Sequence, residues 1–314
     1  MVLKNSIQLL SSSGFKVYDA PIMTTVSLKH ITQYRYSQEV TLSPQLIKLR
    51  PAPHCRTVIS SYQLSIQPAS YFINWQQDPF SNHTARLVFT EKTNFFEIQV
   101  DLNAELKPIN PFDFFLEPSA EHHPFVYDAN LKSGLTPYLE KESCGPLMQA
   151  FVEKIPQEKR RTIEFIVYLN QLVFNRVRYL IRHEPGVQST EQTLQLGSGS
   201  CRDSSWLLVQ LCRQMGIAAR FVSGYLIETS PDWHNLNSPK ETQENVAELH
   251  AWCEVFIPGA GWIGVDPTSG LFATEGHIPL AAAPDPSNAM PIYGELDVCE
   301  VNMTHQITTS PLKA

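Results

Sequence analysis

The sequence predicts an α+β protein, with an N-terminal antiparallel β-sandwich followed by a domain in which a helix packs on an antiparallel sheet. Two observations predict this class. Residues 28–106 are rich in β-branched and aromatic side chains and alternate with period two in several stretches, which is the pattern of half-buried strands. From residue 162 onward, apolar residues at three-to-four spacing are followed by short strand-like runs, which is typical of helices that cover a sheet.

Length and charge set limits on the function. The 314 residues allow two domains. The chain carries 24 Lys and Arg against 31 Asp and Glu, which excludes a protein that binds nucleic acid through bulk positive charge. It has no polybasic run, and no apolar run approaches the 18 residues of a membrane span. We therefore expect no nucleic-acid partner, no membrane partner and a cytoplasmic location.

The first part of the chain divides into an extension, a sandwich and a linker. Residues 1–27 contain an apolar fragment that is too short for a signal-peptide core, and we expect an extension without regular structure. Residues 28–107 hold the strands of the sandwich. Residues 108–140 are rich in proline and are predicted to form an extended linker. We expect its adjacent His122 and His123 to be solvated rather than metal ligands, because neighbouring side chains diverge.

Residues 141–280 form the predicted second domain. Helical spacing covers residues 162–182, and a second helix begins near Cys201 and ends at Gly216. Strands are predicted at residues 218–227, from His250 onward, and up to Asp266. Residues 281–314 are predicted to be an irregular tail.

Cys201 is the candidate nucleophile. It follows a Gly-Ser run and lies in the first turn of a predicted helix, where free N–H groups and the helix dipole favour a thiolate. The same N–H groups can stabilise an oxyanion. The next two residues, Arg202 and Asp203, are expected to brace the helix rather than react. The other cysteines show no CxxC spacing and no adjacent base, and we interpret them as structural: Cys55, Cys144, Cys212, Cys253 and Cys299.

A nucleophilic cysteine needs a base, and the base needs a group that orients it. His250 begins one predicted strand and Asp266 ends the next. A four-residue hairpin loop would place the two side chains on opposite faces of the hairpin. A five-residue loop would pair Trp252 with Asp266, so that Asp266 lies diagonal to His250 on the same face. A Cys201–His250–Asp266 triad therefore requires a loop of odd length or a bulge.

Two segments that carry these residues, GSGSCRDSSWLLVQLCRQMGIAARFVSGY and LHAWCEVFIPGAGWIGVDPTSG, resemble the bacterial transglutaminase-like superfamily. The segment HITQYRYSQEVTLSPQLIKLRP resembles the β-rich domain that precedes the core in one bacterial branch. The resemblance implies a papain-like transglutaminase core with a Cys–His–Asp triad, in which Cys201 precedes Arg-Asp, His250 begins His-Ala-Trp and Asp266 begins Asp-Pro-Thr. Ser81 departs from the pattern, because that branch tends to have glycine before Asn82.

The resemblance implies acyl transfer at an amide of a peptide or protein substrate, through a Cys201 thioester. Transfer to an amine and hydrolysis both stay open, and we expect neither a cofactor nor a metal. One alternative is a catalytically silent peptide-binding protein of the same fold. A redox pair of Cys201 and Cys212 is disfavoured, because eleven helical residues span about 16 Å, too far for a disulfide.

Overall fold

The computed structural model describes residues 24–228 and 246–312. The fold is α+β, as predicted, with a strand-rich N-terminal region followed by a mixed core. Most of the predicted extension lies outside the described residues. Its last four residues do not fit that prediction, because the first strand already begins at Thr24.

The six N-terminal strands supply three strands to each of two four-stranded antiparallel sheets, which face each other across a shared apolar core. The strands of this region are β1 (Thr24–Val40), β2 (Gln45–Ile47), β3 (Val58–Gln67), β4 (Tyr71–Gln77), β5 (His83–Phe89) and β6 (Thr93–Leu106). The turn before β5 contains Ser81 with a φ of 68°, a left-handed conformation that glycine adopts most readily. This conformation explains why a glycine would suit position 81.

The predicted linker is only partly extended. Within it lie strand β7 (His122–His123) and helix α1 (Ala129–Leu139). The Asp128 carboxylate caps α1 by accepting from the backbone N–H groups of Asn130 and Leu131, a capping pattern that the proline-rich composition obscured. The expectation of two solvated histidines is wrong for His123, because its ring is buried and stacks on Phe165 at 3.9 Å between centroids.

The core contains the remaining helices, several short strands and one large sheet. The elements before the sheet are α2 (Pro146–Glu153), β8 (Arg160–Arg161), α3 (Thr162–Arg176), β9 (Arg178–Tyr179), α4 (Thr190–Leu196), β10 (Ser198–Gly199) and α5 (Cys201–Gln214). The sheet elements are β11 (Ala219–Glu228), β12 (Val246–Ile257), β13 (Gly261–Asp266), β14 (Leu271–Phe272) and β15 (His277–Ala283). Helix α3 ends at Arg176, earlier than predicted, because the chain then pairs as β9 with β10.

The large sheet has the strand order β14-β13-β12-β11-β15, with every neighbouring pair antiparallel. Helix α5 packs on its centre, where the Ser205 hydroxyl donates to the backbone oxygen of Ala251 in β12 at 2.9 Å. This bond links the helix that begins with Cys201 to the strand that carries His250.

The prediction of an irregular C-terminal tail is wrong. The chain continues into β16 (Ile292–Tyr293), which pairs with β2, and β17 (Val301–Pro311), which pairs with β1 over eleven residue positions. Each strand completes one sheet of the sandwich. Strand β17 is largely exposed, so it lacks the regular apolar alternation that identifies a half-buried strand from sequence.

The sandwich and the large sheet share one core. Side chains of β11 and β15 are buried among those of the N-terminal strands. They are Tyr225, Ile227, Ile278 and Leu280. Two hydrogen bonds add polar contacts, since Asn82 both donates to and accepts from the backbone of Ala282.

Across the two described segments, no helix combines the length and the apolar character needed to span a bilayer.

The His30 imidazole lies within this shared core and bonds to the Tyr225 hydroxyl at 2.8 Å and to Thr32 at 2.8 Å. Burial, with a smaller effect from His305, lowers the pKa of His30 to about 4. Between pH 6.5 and 4 the unfolded chain therefore binds more protons at this residue, so the folded state loses stability as pH falls.

We predict that His30 contributes about 2 kcal/mol to the loss of unfolding free energy between pH 7 and pH 5. Urea unfolding of the wild type and of His30→Gln at both pH values measures this, because the variant removes the titrating group. A pH-dependent loss of equal size in both proteins would contradict the prediction.

Candidate active site

Cys201 is the first residue of α5 and is buried, with 9% of its surface exposed. The helix begins here because Asp203 caps it: one carboxylate oxygen accepts from the backbone N–H and the hydroxyl of Ser200, each at 2.8 Å. Arg182 donates to both oxygens of the same carboxylate, at 3.0 and 3.1 Å, and Gln188 adds a backbone N–H at 2.8 Å. Asp203 therefore braces the helix start, as predicted, and holds the Cys201 backbone in place.

The β12–β13 hairpin has the register that the proposed triad requires. Ile257 pairs with Gly261, so the connecting loop contains three residues, which is an odd number. Cys253 pairs with Val265, and one step further along this register Trp252 lies opposite Asp266. His250 and Asp266 consequently share a face, and His250 Nε2 lies 3.1 Å from Asp266 Oδ2.

Asp266 is buried, with 1% of its surface exposed, and its two oxygens have different partners. Oδ1 accepts from the backbone N–H of Thr268 at 2.8 Å and from its hydroxyl at 2.7 Å. Oδ2 faces His250 and also His277, whose Nε2 lies 3.4 Å away. Burial by itself would raise the pKa of Asp266, but its hydrogen bonds to His250 and His277 hold that pKa well below its usual range. Asp266 is thus an ionised carboxylate with its orientation determined from both sides.

The two ring nitrogens of His250 have different neighbours, because Nε2 faces Asp266 and Nδ1 faces Glu248. Burial alone would lower its pKa, but contacts with Asp266, Cys201 and Glu248 raise it well above the usual histidine value. Its Nδ1 is buried, makes no regular hydrogen bond, and lies 3.4 Å from a carboxylate oxygen of Glu248. With Nε2 engaged by Asp266, Nδ1 is the ring nitrogen through which a proton can be exchanged with the Cys201 thiol.

The structure brings two further groups to this site that the sequence analysis did not identify. The first group is Tyr179, whose pKa is raised to about 12 by burial together with the charges of Cys201 and Glu248. Its phenol therefore keeps its proton at neutral pH while 45% of the residue is exposed. The second group is His277, which reaches the site from β15 on the other side of β11. The pairing of β9 with β10 brings Tyr179 opposite Gly199, a contact that no local motif encodes.

Trp252 packs against both histidines of the site. Its ring stacks near His250, at 6.5 Å and 25°, and meets His277 edge-on at 5.2 Å. Gly224 in β11 leaves room for this ring, because a Cβ at that position would lie 2.5 Å from it. The His-Ala-Trp motif therefore supplies both the histidine and the aromatic ring that packs beside it.

The nitrogen and oxygen atoms of His250, Asp266 and His277 lie within 4.8 Å of one another, a spacing that a metal ion could use. His277 does not fit this role in the present geometry. Its Nδ1 accepts a hydrogen bond from the backbone N–H of Thr274 at 3.1 Å, so the ring proton is on Nε2. A metal ligand would need a free electron pair at that nitrogen.

The six cysteines are all free thiols. Cys212 and Cys253 are buried in the core, Cys55 and Cys299 are half-buried, and Cys144 is exposed. Among them, Cys201 is the one whose contacts include His250.

We predict that Asp203→Asn lowers the free energy of unfolding by about 3 kcal/mol, because an amide leaves Arg182 and the Ser200 N–H partly without an acceptor. Urea unfolding measures the loss. The exposed Asp113→Asn is the matched control and should change stability by less than about 0.5 kcal/mol. Equal stability of the two variants would show that Asp203 does not brace the helix.

Comparison with known proteins identifies two matching family models. Residues 26–105 match the bacterial transglutaminase-like N-terminal region, and residues 149–267 match the transglutaminase-like superfamily. The second match contains Cys201, His250 and Asp266.

Two uncharacterised bacterial proteins are similar in sequence. Rv2569c of Mycobacterium tuberculosis is 24% identical over 273 residues, which cover 84% of this chain and 85% of that protein. YebA of Bacillus subtilis is 40% identical over 74 residues, which are 23% of this chain and 10% of YebA.

Among solved structures, a protein from Cytophaga hutchinsonii that is described as a proposed cysteine protease has a similar fold. Its TM-score is 0.66 at 18% identity, and the alignment covers 93% of this chain and 92% of that one. The fold similarity and the two family matches together cover both regions of the chain. The chain therefore carries a transglutaminase-like domain at residues 149–267, preceded by a bacterial transglutaminase-like N-terminal region at residues 26–105.

Proposed function

We propose that this protein is a thiol enzyme that acts on amide bonds of peptides or of protein side chains, through a thioester on Cys201. One observation carries the proposal. His250 bonds to the ionised Asp266 through Nε2 and contacts Cys201, the residue that begins a helix. This is the arrangement of nucleophile, base and orienting group that acyl transfer requires.

In the first half-reaction, the Cys201 sulfur attacks the carbonyl carbon of the amide and a C–S bond forms. The C–N bond then breaks, and the proton on His250 Nδ1 moves to the departing nitrogen. Asp266 keeps its charge throughout and stabilises the imidazolium before the transfer. The products are a thioester on Cys201 and a free amine or ammonia.

In the second half-reaction, an acceptor attacks the thioester carbonyl while His250 takes its proton. The C–S bond breaks and the thiolate returns. An amine acceptor gives transfer, as in a transglutaminase, and water gives hydrolysis, as in a protease or amidase. Both outcomes use the same three residues, so the acceptor determines the class of the enzyme.

The oxyanion that forms in each step needs donors close to Cys201. The backbone N–H groups of Cys201 and Arg202, the first two residues of α5, lie ahead of the first hydrogen bond of the helix. The next N–H, that of Asp203, is already used, since it donates to the Ser200 oxygen at 3.1 Å. The proposed chemistry requires neither a metal nor a cofactor, and the cytoplasmic location stays a prediction.

We predict that a glutamine-containing peptide is modified by the wild type and that Cys201→Ala lowers the rate on the order of 10⁴-fold. Parallel incubations with and without a primary alkylamine, read by mass spectrometry, distinguish an amine adduct, a deamidated peptide and a cleaved peptide. Cys144→Ala removes an exposed thiol away from the site and should keep the wild-type rate.

A panel of peptides that differ in sequence should accompany this test, because one peptide tests one substrate only. Product formation by Cys201→Ala at the wild-type rate would refute the proposal. Peptide binding without any product across the panel would instead support the catalytically silent peptide-binding protein.

A further inference from the structure

His277 lies beyond the residues that match the superfamily core and enters the site from a different strand. It begins β15, where it pairs with Leu226 of β11. Its side chain is 9% exposed, and its ring centroid lies 6.1 Å from that of His250. The Cys–His–Asp chemistry described above assigns no role to this histidine.

The proton position on His277 follows from its neighbours. Residues 274–277 form a tight turn in which the His277 N–H donates to the Thr274 oxygen at 3.0 Å. In return, the Thr274 N–H donates to His277 Nδ1 at 3.1 Å. A nitrogen that accepts an N–H cannot carry a proton of its own. The ring is therefore the neutral tautomer with its proton on Nε2, the nitrogen that faces Asp266 Oδ2.

Asp266 Oδ2 consequently faces two imidazoles, which differ in whether they titrate during the proposed reaction. His250 gains and loses a proton during the proposed reaction. His277 is held by the turn in one tautomer and can donate to the carboxylate at every stage. A buried carboxylate with a permanent donor keeps its charge and orientation more firmly than one that depends on a titrating partner alone.

We propose that His277 is a positioning residue, which holds the Asp266 carboxylate ionised and oriented while His250 exchanges its proton. The inference about the hydrogen bond stands on geometry alone, and the inference about its effect rests on the proposed function. The other titratable groups that face this pair are Glu248 on β12, Tyr179 on β9 and Cys201 on α5.

The tautomer can be measured directly on the intact wild-type protein. NMR of protein labelled with ¹⁵N-histidine distinguishes a protonated from an unprotonated ring nitrogen. We expect His277 at pH 7 to have its proton on Nε2 only, and Asp266→Asn to shift the resonance of that proton. A proton on Nδ1, or on both nitrogens, would overturn the proposal; the Nδ1 form would also leave Nε2 able to bind a metal.

The functional effect is measured by the rate at which iodoacetamide alkylates Cys201 as a function of pH, with the labelled residue identified by mass spectrometry. His277→Leu removes the donor and retains bulk. We expect the acid limb of its rate profile to move up by about one pH unit, because Asp266 then protonates more readily. His277→Gln keeps an N–H donor and should restore at least half of this shift. His305→Leu, a substitution of an exposed histidine on β17, is the matched control and should keep the wild-type profile.

Two results would overturn the positioning role. One is a His277→Leu profile equal to those of the wild type and His305→Leu. The other is an equal shift in His277→Leu and His277→Gln, which would indicate packing rather than hydrogen bonding. A wild type in which Cys201 reacts no faster than the exposed Cys144 would count against the proposed function, whereas the tautomer measurement would still decide whether His277 donates to Asp266.

Discussion

The carboxylate of Asp266 is removed from water, and its charge depends on the protein groups that surround it. The Thr268 backbone and hydroxyl occupy one oxygen, and His250 and His277 face the other. Without these partners, a carboxylate at this depth would take up a proton. His250 would then lose both its orientation and the negative charge that stabilises its imidazolium. Strands β12 and β15 must therefore bring His250 and His277 to the carboxylate at the end of β13.

The N-terminal region supports this arrangement through the back of the large sheet. Its strands share a core with β11 and β15. The Asn82 side chain donates to the backbone oxygen of Ala282 and accepts from the backbone N–H of the same residue. Ala282 belongs to the strand that begins with His277. Strand β17 closes the sandwich by pairing with β1. The two regions are therefore joined through the side chains of β11 and β15 that the sandwich core buries.

The parts of the structure that follow from local rules could be predicted from the sequence. A Gly-Ser run before an apolar helix located the start of α5 at Cys201. For the hairpin, the sequence predicted only the condition, a loop of odd length or a bulge, under which Asp266 lies beside His250; the structure supplies the loop length. The role of His277 could not be predicted, because it depends on β15 pairing with β11 rather than with its neighbours in the sequence. Strand β17 was missed for a related reason: its partner is at the opposite end of the chain, and its exposed side chains carry no apolar pattern.

Contacts with Asp266, Cys201 and Glu248 raise the pKa of His250 well above the usual histidine value, and the proposed first step needs the resulting proton on Nδ1. The ¹⁵N resonances of the His250 ring at pH 7, compared between the wild type and Cys201→Ala, test this most directly. We expect both ring nitrogens to be protonated in the wild type, and the pKa of His250 to fall when the Cys201 sulfur is removed. A neutral His250 ring in the wild type at pH 7, or a pKa that is unchanged in Cys201→Ala, would contradict the account.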